Sequence, residues 1–272
     1  MAQIETDAAF AGSIPELYDR LMVPLIFESY AADIARRAAA LAPRRVLEIA
    51  AGTGAVTRAL ARTLPASVEI VATDLNPPML ARGAAVGTAR PVTWQPADAM
   101  ALPFDDGSFD LVVCQFGAMF FPDKARAYAE TRRVLSDGGH FLFNVWESLA
   151  TNDFARDVTE ALGRLFPDDP PMFMARTPHG YGDASAIAAD LARGGYTQAP
   201  TFEVVTERSH ADSARTAAMA YCQGTPVRGE IESRAGPNLA QATAASEALL
   251  AERYGSGPID GKIQALVVTV RR

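Results

Sequence analysis

The sequence is poor in cysteine and histidine, in long apolar runs and in basic residues, and each shortage argues against a class of function. It holds two cysteines and three histidines in 272 residues, and neither cysteine stands at a metal-ligand spacing, so we expect neither a disulfide framework nor a zinc site. No run reaches the roughly 18 apolar residues that a membrane helix needs, and the first ten residues lack the apolar region of a secretory signal. Acidic residues outnumber Lys and Arg by 32 to 25, which argues against a nucleic-acid partner.

These absences favour a cytoplasmic globular protein without a membrane span. Hydrophobic residues make up 49% of the chain and charged residues 21%, which is ordinary for a packed core and too apolar for disorder. Cys114 lies in an apolar strand-like run, where a reduced, buried thiol is expected. The chain length suits one large α/β domain or two small ones.

Hydrophobic periodicity predicts the order of elements. Residues 14–42 have apolar side chains at three- and four-residue steps, which predicts helix, with Pro24 dividing the run in two. Short apolar runs then alternate with helical patterns, so we expect an α/β, Rossmann-like, doubly wound and mostly parallel seven-stranded sheet with N-terminal helices and helical lid insertions. The predicted strands are residues 45–50, 69–73, 92–95, 109–114, 140–146, 201–206 and 263–270.

We interpret residues 1–272 as one domain in three parts. They are an N-terminal helical cap (1–42), a core that carries the chemistry (43–147) and a second half with lid insertions and closing strands (148–272). Residues 137–139 read as a turn before the fifth strand, and residues 167–184 form a long irregular segment rich in Pro, Gly and Asp, with aromatic residues between them. Segments of that kind are often functional lids.

Three features follow three successive predicted strands. Gly52 and Gly54 follow the first strand, where glycine lets the chain turn sharply and a ligand approach closely. Asp74 ends the second strand, where a carboxylate can accept hydrogen bonds from ribose hydroxyls. Asp98 follows the third and can accept from an exocyclic amine such as that of adenine. A plain turn, a helix N-cap and a solvated turn aspartate remain the alternatives for the single features, but together they indicate a nucleoside site.

These residues carry a family resemblance. Residues 46–54, VLEIAAGTG, resemble motif I of the class I S-adenosylmethionine (SAM)-dependent methyltransferases. Asp74 matches the acidic residue of that family, and residues 97–99, 102–104 and 108–112 look like the ubiquinone/menaquinone-biosynthesis-like branch. Residues 133–135 with Gly138 and Gly139 are similar to the turn into the fifth strand. The resemblance covers about residues 43–147 and implies a SAM-dependent methyltransferase with SAM as cofactor and S-adenosylhomocysteine as product.

The resemblance also implies roles for single residues. The methionine part of SAM would be held by the motif I residues, the ribose by Asp74, and the adenine by Leu75, Met79, Asp98 and Ala99. The motif I residues concerned are Glu48, Ala50, Gly52 and Gly54, and Gln115 would line the site near the methionine part. Tyr18 matches a region that closes over the cofactor in this branch, although a core tyrosine is the alternative. Alanine at both positions 50 and 51 departs from the glycine- or aspartate-rich motif of many relatives.

The acceptor side rests on a hypothesis of our own. Residues 167–184, Phe120 and Phe121 are expected to line the acceptor pocket, because aromatic and Met side chains cluster there, and core packing is the alternative. Tyr181 belongs to this set, and His179 is the candidate general base. An apolar or aromatic small molecule would suit such a pocket. A base is needed only if the acceptor holds its proton, since SAM supplies an activated methyl group.

Other functions stay open on the sequence. A non-catalytic SAM-binding protein fits the same residues. An NAD(P)-dependent oxidoreductase also uses a glycine turn and a later acidic residue, but the third glycine of that motif would fall at Thr57. A base-methylating enzyme is disfavoured, because residues 114–117 read CQFG where a tetrapeptide such as NPPY would stand. Homo-oligomers, for example through residues 212–255, and the acceptor atom are left undecided.

Overall fold

The computed structural model describes residues 12–272 of the chain. Its strands are β1 (Arg45–Glu48), β2 (Glu69–Asp74), β3 (Thr93–Pro96), β4 (Phe109–Gln115), β5 (Leu135–Trp146), β6 (Thr201–Ala211) and β7 (Ile259–Arg271). Its α-helices are α1 (Ile14–Leu17), α2 (Glu28–Ala40), α3 (Ala55–Thr63), α4 (Pro77–Val86), α5 (Lys124–Val134), α6 (Asp153–Leu165), α7 (Phe173–Arg176), α8 (Ala184–Arg193), α9 (Ala214–Gln223), α10 (Val227–Glu232) and α11 (Leu239–Tyr254). No helix in this range is long and apolar enough to cross a membrane.

The strands form one sheet in the order β3-β2-β1-β4-β5-β7-β6. Strands β1 to β5 pair in parallel, and β7 runs antiparallel to β5. The chain order reverses between β1 and β4, the position at which open α/β sheets bind ligands beyond the carboxyl ends of their strands. The predicted seven-stranded, mostly parallel α/β fold is confirmed.

Contacts divide the described residues into two compact units. Unit 1 comprises residues 12–27, 147–180 and 206–264, and unit 2 comprises residues 28–146, 181–205 and 265–272. The division of the sequence at residues 42 and 147 stays a prediction.

The central parallel strands of unit 2 are buried and carry mostly apolar side chains. Val46, Leu111, Val113 and Leu142 share one cluster with residues of α2 and α3, among them Ile34 and Leu60, which are fully buried. Helices α2 and α3 present Ala and branched side chains at helical spacing to this face. This packing fixes the strand ends from which the candidate site is built.

In unit 1 the central charge is the carboxylate of Asp157 on α6, which is fully buried. It accepts hydrogen bonds from Tyr254 Oη at 2.6 Å and Arg156 Nε at 2.7 Å, and it pairs with Arg253. A buried carboxylate is tolerated when it is paired and hydrogen-bonded in this way. These contacts join α6 to α11.

Two local predictions are wrong. Pro24 does not divide the helical run, because Tyr18–Phe27 forms a π-helix that contains it and continues into α2. The wider π-turn tolerates the missing N–H of proline. Residues 137–139 are not a turn before the fifth strand either, since β5 begins at Leu135. Gly138 has a φ of +79° there, and the register against β4 shifts between Phe109 and Leu111, so the glycines accommodate a bulge.

Candidate functional site

The loop after β1 turns through three left-handed residues. Ala50, Gly52 and Gly54 have φ values of +53°, +57° and +85°. A side chain on Gly52 would stand 3.6 Å from the terminal methyl of Met79, in ordinary contact. Left-handed backbone is strained for residues with a Cβ, so Ala50 is held in this conformation by its surroundings.

Gly54 serves a second purpose that the motif does not reveal. A Cβ on Gly54 would lie 2.5 Å from the indole of Trp94, and one on Gly83 would lie 2.8 Å from the same ring. Trp94 on β3 therefore packs where these two glycines leave space. Gly54 thus makes room for Trp94, and the cofactor role that the resemblance implies for it stays a prediction.

The methyl group of Ala50 packs against Gly117, which has no side chain. A Cβ on Gly117 would stand 2.4 Å from the Cβ of Ala50 and 2.8 Å from Cys114 Sγ. The methyl of Ala50 thus occupies the space that an alanine at position 117 would need. This contact ties the loop after β1 to the residues that follow β4.

The carboxylate of Asp74 joins β2 to the glycine loop. Its Oδ2 accepts from Gly52 N at 2.8 Å, and its Oδ1 accepts from Asn76 N at 2.7 Å and Asn76 Nδ2 at 3.3 Å. Burial raises the pKa of Asp74, and the backbone N–H groups of Asn76 and Gly52 oppose that rise. A backbone hydrogen bond from Leu75 also opposes the rise, so the carboxylate is held by the chain on both sides of the loop.

Glu48 ends β1 and is 1% exposed. Its Oε2 accepts from the hydroxyl of Thr57 at 2.6 Å. Burial raises the pKa of Glu48 to about 8, with the Thr57 hydrogen bond and the charge of Arg58 opposing it. The side chain therefore stays largely protonated at pH 7 unless a cation is placed beside it.

The residues expected to bind adenine follow the ends of β2 and β3. The backbone of Ala97 donates to Asp74 O at 3.1 Å, which places Asp98 and Ala99 beside the end of β2. Asp98 Oδ1 accepts from Met100 N at 2.8 Å. Leu75 is 59% exposed, whereas Met79 is buried. Of these two apolar side chains, Leu75 is therefore the one that is open to solvent.

The end of β4 carries Gln115, followed by Phe116, whose φ is +51°. The Phe116 ring stacks on Trp146 with centroids 3.7 Å apart and planes 5° apart, and Tyr30 meets both rings edge-on at 5.3 Å. Phe120 is half-buried at the end of a 3₁₀ turn, and Phe121 is buried. An aromatic cluster thus stands where β4 ends.

Tyr181 belongs to unit 2 and is held by polar contacts. Its hydroxyl donates to Asp190 Oδ2 at 2.6 Å and lies 3.3 Å from Tyr128 Oη. Lys124 Nζ stands 4.6 Å from the centre of the Tyr181 ring and donates to Phe121 O at 3.0 Å. Burial lowers the pKa of Lys124. These contacts tie the start of residues 181–205 to α5 and α8.

His179 and Tyr18 belong to unit 1. His179 Nδ1 donates to the carbonyl of Glu147 at 2.7 Å, because a carbonyl can only accept. Burial lowers the pKa of His179 to about 4, so the imidazole is neutral near pH 7. Tyr18 stacks on Phe27 with ring centroids 5.2 Å apart.

Residues 167–184, predicted as an irregular segment, are held by Glu230, which the sequence analysis did not identify. The carboxylate of Glu230 accepts from Met172 N at 2.7 Å and from Phe173 N at 3.1 Å, and pairs with Arg176 at 2.7 Å. It thereby holds both ends of the short helix α7, which a pattern rich in Pro and Gly does not predict. Among residues 12–272 no group of three or more His, Cys, Asp and Glu side chains could hold a metal ion.

The comparisons with known proteins agree with this geometry. Residues 47–143, from β1 through most of β5, match a family described as a methyltransferase domain. The resemblance of this region to class I SAM-dependent methyltransferases of the ubiquinone/menaquinone-biosynthesis-like branch, seen in the sequence, is confirmed.

Two curated relatives match the methyltransferase domain region. A demethylmenaquinone methyltransferase of Thermus thermophilus is 42% identical over 122 residues, which are 42% of this chain and 55% of that protein. A demethylmenaquinone methyltransferase of Deinococcus radiodurans is 37% identical over 137 residues, which are 49% of this chain and 56% of that protein. The chain therefore spans about half the length of the curated relatives it matches.

Solved structures share the fold over a longer range. The YcgJ protein of Bacillus subtilis superposes with a TM-score of 0.55 at 19% identity, covering 90% of this chain and 98% of that one. The [4+2]-cyclase SpnF superposes with a TM-score of 0.54 at 21% identity, covering 90% and 80%. At such identities the likeness concerns the fold alone, and since one neighbour is named a cyclase, the fold does not decide the reaction.

Proposed function

We propose that this protein is a SAM-dependent methyltransferase that transfers a methyl group to a small apolar or aromatic acceptor. The observation that carries the proposal is the 2.8 Å hydrogen bond from Gly52 N to Asp74 Oδ2, which joins the motif I loop to the acidic residue of β2. It brings two elements implied for the cofactor together at the carboxyl edge of the sheet, where α/β folds bind ligands.

The residues present fit SAM. The hydroxyl of Thr53, inside the motif I loop, is buried and has no hydrogen-bond partner among residues 12–272. A buried hydroxyl of this kind suits a polar group of a ligand, because leaving it unpaired costs free energy. The carboxylate of Asp74 suits a ribose hydroxyl, and a protonated Glu48 would ionise beside an ammonium group.

The proposed cofactor residues keep the roles that the resemblance implies. Glu48, Ala50 and Gly52 would hold the methionine part with Gln115, and Asp74 the ribose. Leu75, Met79, Asp98 and Ala99 would hold the adenine, and Gly54 would help to shape the pocket for the methionine part. When bound, SAM supplies an activated methyl group. The protein then orients the acceptor, a contribution on the order of 7–11 kcal/mol in favourable cases.

The acceptor class rests on a different set of observations. The printed names of the two relatives refer to demethylmenaquinone, and the aromatic cluster of Tyr30, Phe116 and Trp146 stands at the end of β4. We therefore propose a quinone-like or phenolic acceptor. Tyr181, Phe120 and Phe121 are proposed to line its pocket, and Tyr18 to cover the cofactor.

His179 is proposed as the acceptor-side base with a small contribution. A neutral imidazole can take a proton, and Nδ1 is already committed to Glu147 O. However, a base with a pKa of about 4 holds that proton weakly near pH 7. Orientation of the acceptor then supplies most of the rate.

Calorimetric titration with S-adenosylhomocysteine tests the cofactor proposal. We expect micromolar binding by the wild type and a loss of about tenfold or more in Asp74→Ala, because hydrogen bonds to a charged group contribute about 1.5–3 kcal/mol. Asp110→Ala is the matched control. Asp110 also accepts from two backbone amides, Arg44 N at 2.9 Å and Arg45 N at 2.9 Å, but at the start of β1.

Asp110→Ala should therefore lose stability and keep its affinity for S-adenosylhomocysteine. Absence of binding by folded wild-type protein at about 1 mM ligand would overturn the proposal and make NADH the next ligand to titrate. Binding without transfer of labelled methyl to any quinone-like or phenolic acceptor would favour a non-catalytic SAM-binding protein.

A further inference from the structure

Phe116 is a bulky residue in a conformation that bulky residues rarely adopt. Its φ is +51°, and it lies directly after β4 at the proposed cofactor edge. Such strain persists only where surrounding contacts enforce it, and it concentrates at functional sites. Here Phe116 N donates to the carbonyl of Asn144 at 3.2 Å and to Asn144 Oδ1 at 3.0 Å.

The orientation of the Asn144 amide is fixed by this contact. Phe116 N–H is a donor, so the atom facing it must be the acceptor Oδ1, and the amide cannot be flipped. Asn144 is fully buried on β5, and its Nδ2 has no partner among residues 12–272. A side chain present for packing alone would not leave a buried donor unsatisfied, since an apolar residue of the same shape avoids that cost.

The turn that Asn144 holds joins three parts of the proposed site. Gln115 precedes it and pairs in register with Asn144 across β4 and β5, so both side chains lie on the same face of the sheet. The Phe116 ring stacks on Trp146. Gly117 follows the turn and abuts the methyl of Ala50, the left-handed alanine of motif I.

We propose that Asn144 is a positioning residue of the cofactor site, which holds the Gln115–Phe116 turn in its left-handed conformation through Oδ1. Gln115 and the aromatic cluster then take the places that the cofactor and the acceptor require. This inference rests on the proposed function for its ligand, but the conformation of the turn is testable without any ligand.

The test compares Asn144→Leu with Asn144→Asp. Leucine has nearly the same shape and removes Oδ1, whereas aspartate retains an oxygen acceptor for Phe116 N. We expect Asn144→Leu to weaken binding of S-adenosylhomocysteine about tenfold, because small displacements in a site cost that much or more. Asn144→Asp should restore affinity to within about threefold of wild type.

Asn152→Leu is the control. Asn152 is buried in unit 1, its Nδ2 donates to Ser148 O, and its Oδ1 accepts from Gln264 N. It should lower the melting temperature without changing the affinity.

Trp146 gives a second readout. The chain has two tryptophans, so Trp94→Phe leaves Trp146 as the single reporter. In that background Asn144→Leu should shift the Trp146 emission, because the stacked Phe116 ring moves, and Asn144→Asp should not. Unchanged emission in Asn144→Leu overturns the inference even if the wild type binds no S-adenosylhomocysteine, an outcome that would separately refute the proposed function. Unchanged affinity in Asn144→Leu alongside normal wild-type binding also overturns it.

Discussion

The buried carboxyl of Glu48 makes the stability of the fold depend on pH. Its pKa is about 8 in the native protein, because burial disfavours the charged form, against 4.5 in an unfolded chain. Between these values the native state holds a proton that the unfolded state has lost, so the contribution of Glu48 to stability is fully present below pH 4.5 and is lost as the pH rises through 8. Glu48→Gln cannot ionise, and its amide oxygen still accepts from Thr57. It should therefore lack this part of the pH dependence.

The magnitude follows from the two pKa values. One unit of pKa corresponds to 1.36 kcal/mol, and native Glu48 is half ionised at about pH 8, so the wild type should lose about 2 kcal/mol more than Glu48→Gln between pH 6 and pH 8. For a chain of this size that is a melting temperature lower by roughly 5 °C. Asp74 also has a raised pKa and is present in both proteins, and its charge raises the pKa of Glu48, so the difference between them reports Glu48 together with its coupling to Asp74.

Differential scanning fluorimetry at pH 6, 7 and 8 measures this difference directly. The melting temperature of the wild type should fall more than that of Glu48→Gln as the pH rises from 6 to 8. Parallel curves would refute the reasoning, because they would mean that Glu48 titrates alike in the folded and unfolded chains.

Two further predictions concern the loop contacts and the acceptor side. Gly117→Ala should cost about 1–3 kcal/mol in urea unfolding, because the new methyl would overlap Ala50 Cβ and Cys114 Sγ, and adding Ala50→Gly should restore part of the loss. Equal losses in the single and double variants would show that the Ala50 methyl does not cause the overlap. His179→Ala should lower the rate of methyl transfer by less than about tenfold. Tyr181→Phe should lower the free energy of unfolding by about 1 kcal/mol and slow methyl transfer. Intact turnover in both variants would reject the proposed acceptor side.

The sequence allowed the centre of the sheet to be predicted because strands such as β1 and β4 are almost wholly buried. Largely apolar runs such as residues 109–114 leave few alternatives when they alternate with helical patterns. The helix α10 was not predicted, because Val227–Glu232 contains Gly229 and has two buried residues, Val227 and Ile231. Pro24 misled the prediction since the π-helix depends on packing that local propensity does not describe.

Sequence reasoning found those site residues whose type alone suggests a role, such as a glycine in a tight turn or an aspartate at the end of a strand. Gly52 and Asp74 were found in this way, and the structure brings them into contact. Trp94, Gly117 and Asn144 were missed because each acts on a residue distant in sequence. The positive φ of Phe116 left no signal either, as glycine or asparagine would have marked it.

The order of strands in the sheet bears on how the chain is made. Strand β5 lies between β4 and β7, and residues 140–146 pair with residues 265–271, more than a hundred positions later. On the ribosome, the apolar β5 therefore stays an open edge while the intervening residues are synthesised. An unpaired strand edge is a template for association with other chains. The nascent protein therefore exposes this edge of β5 to other chains until β7 emerges.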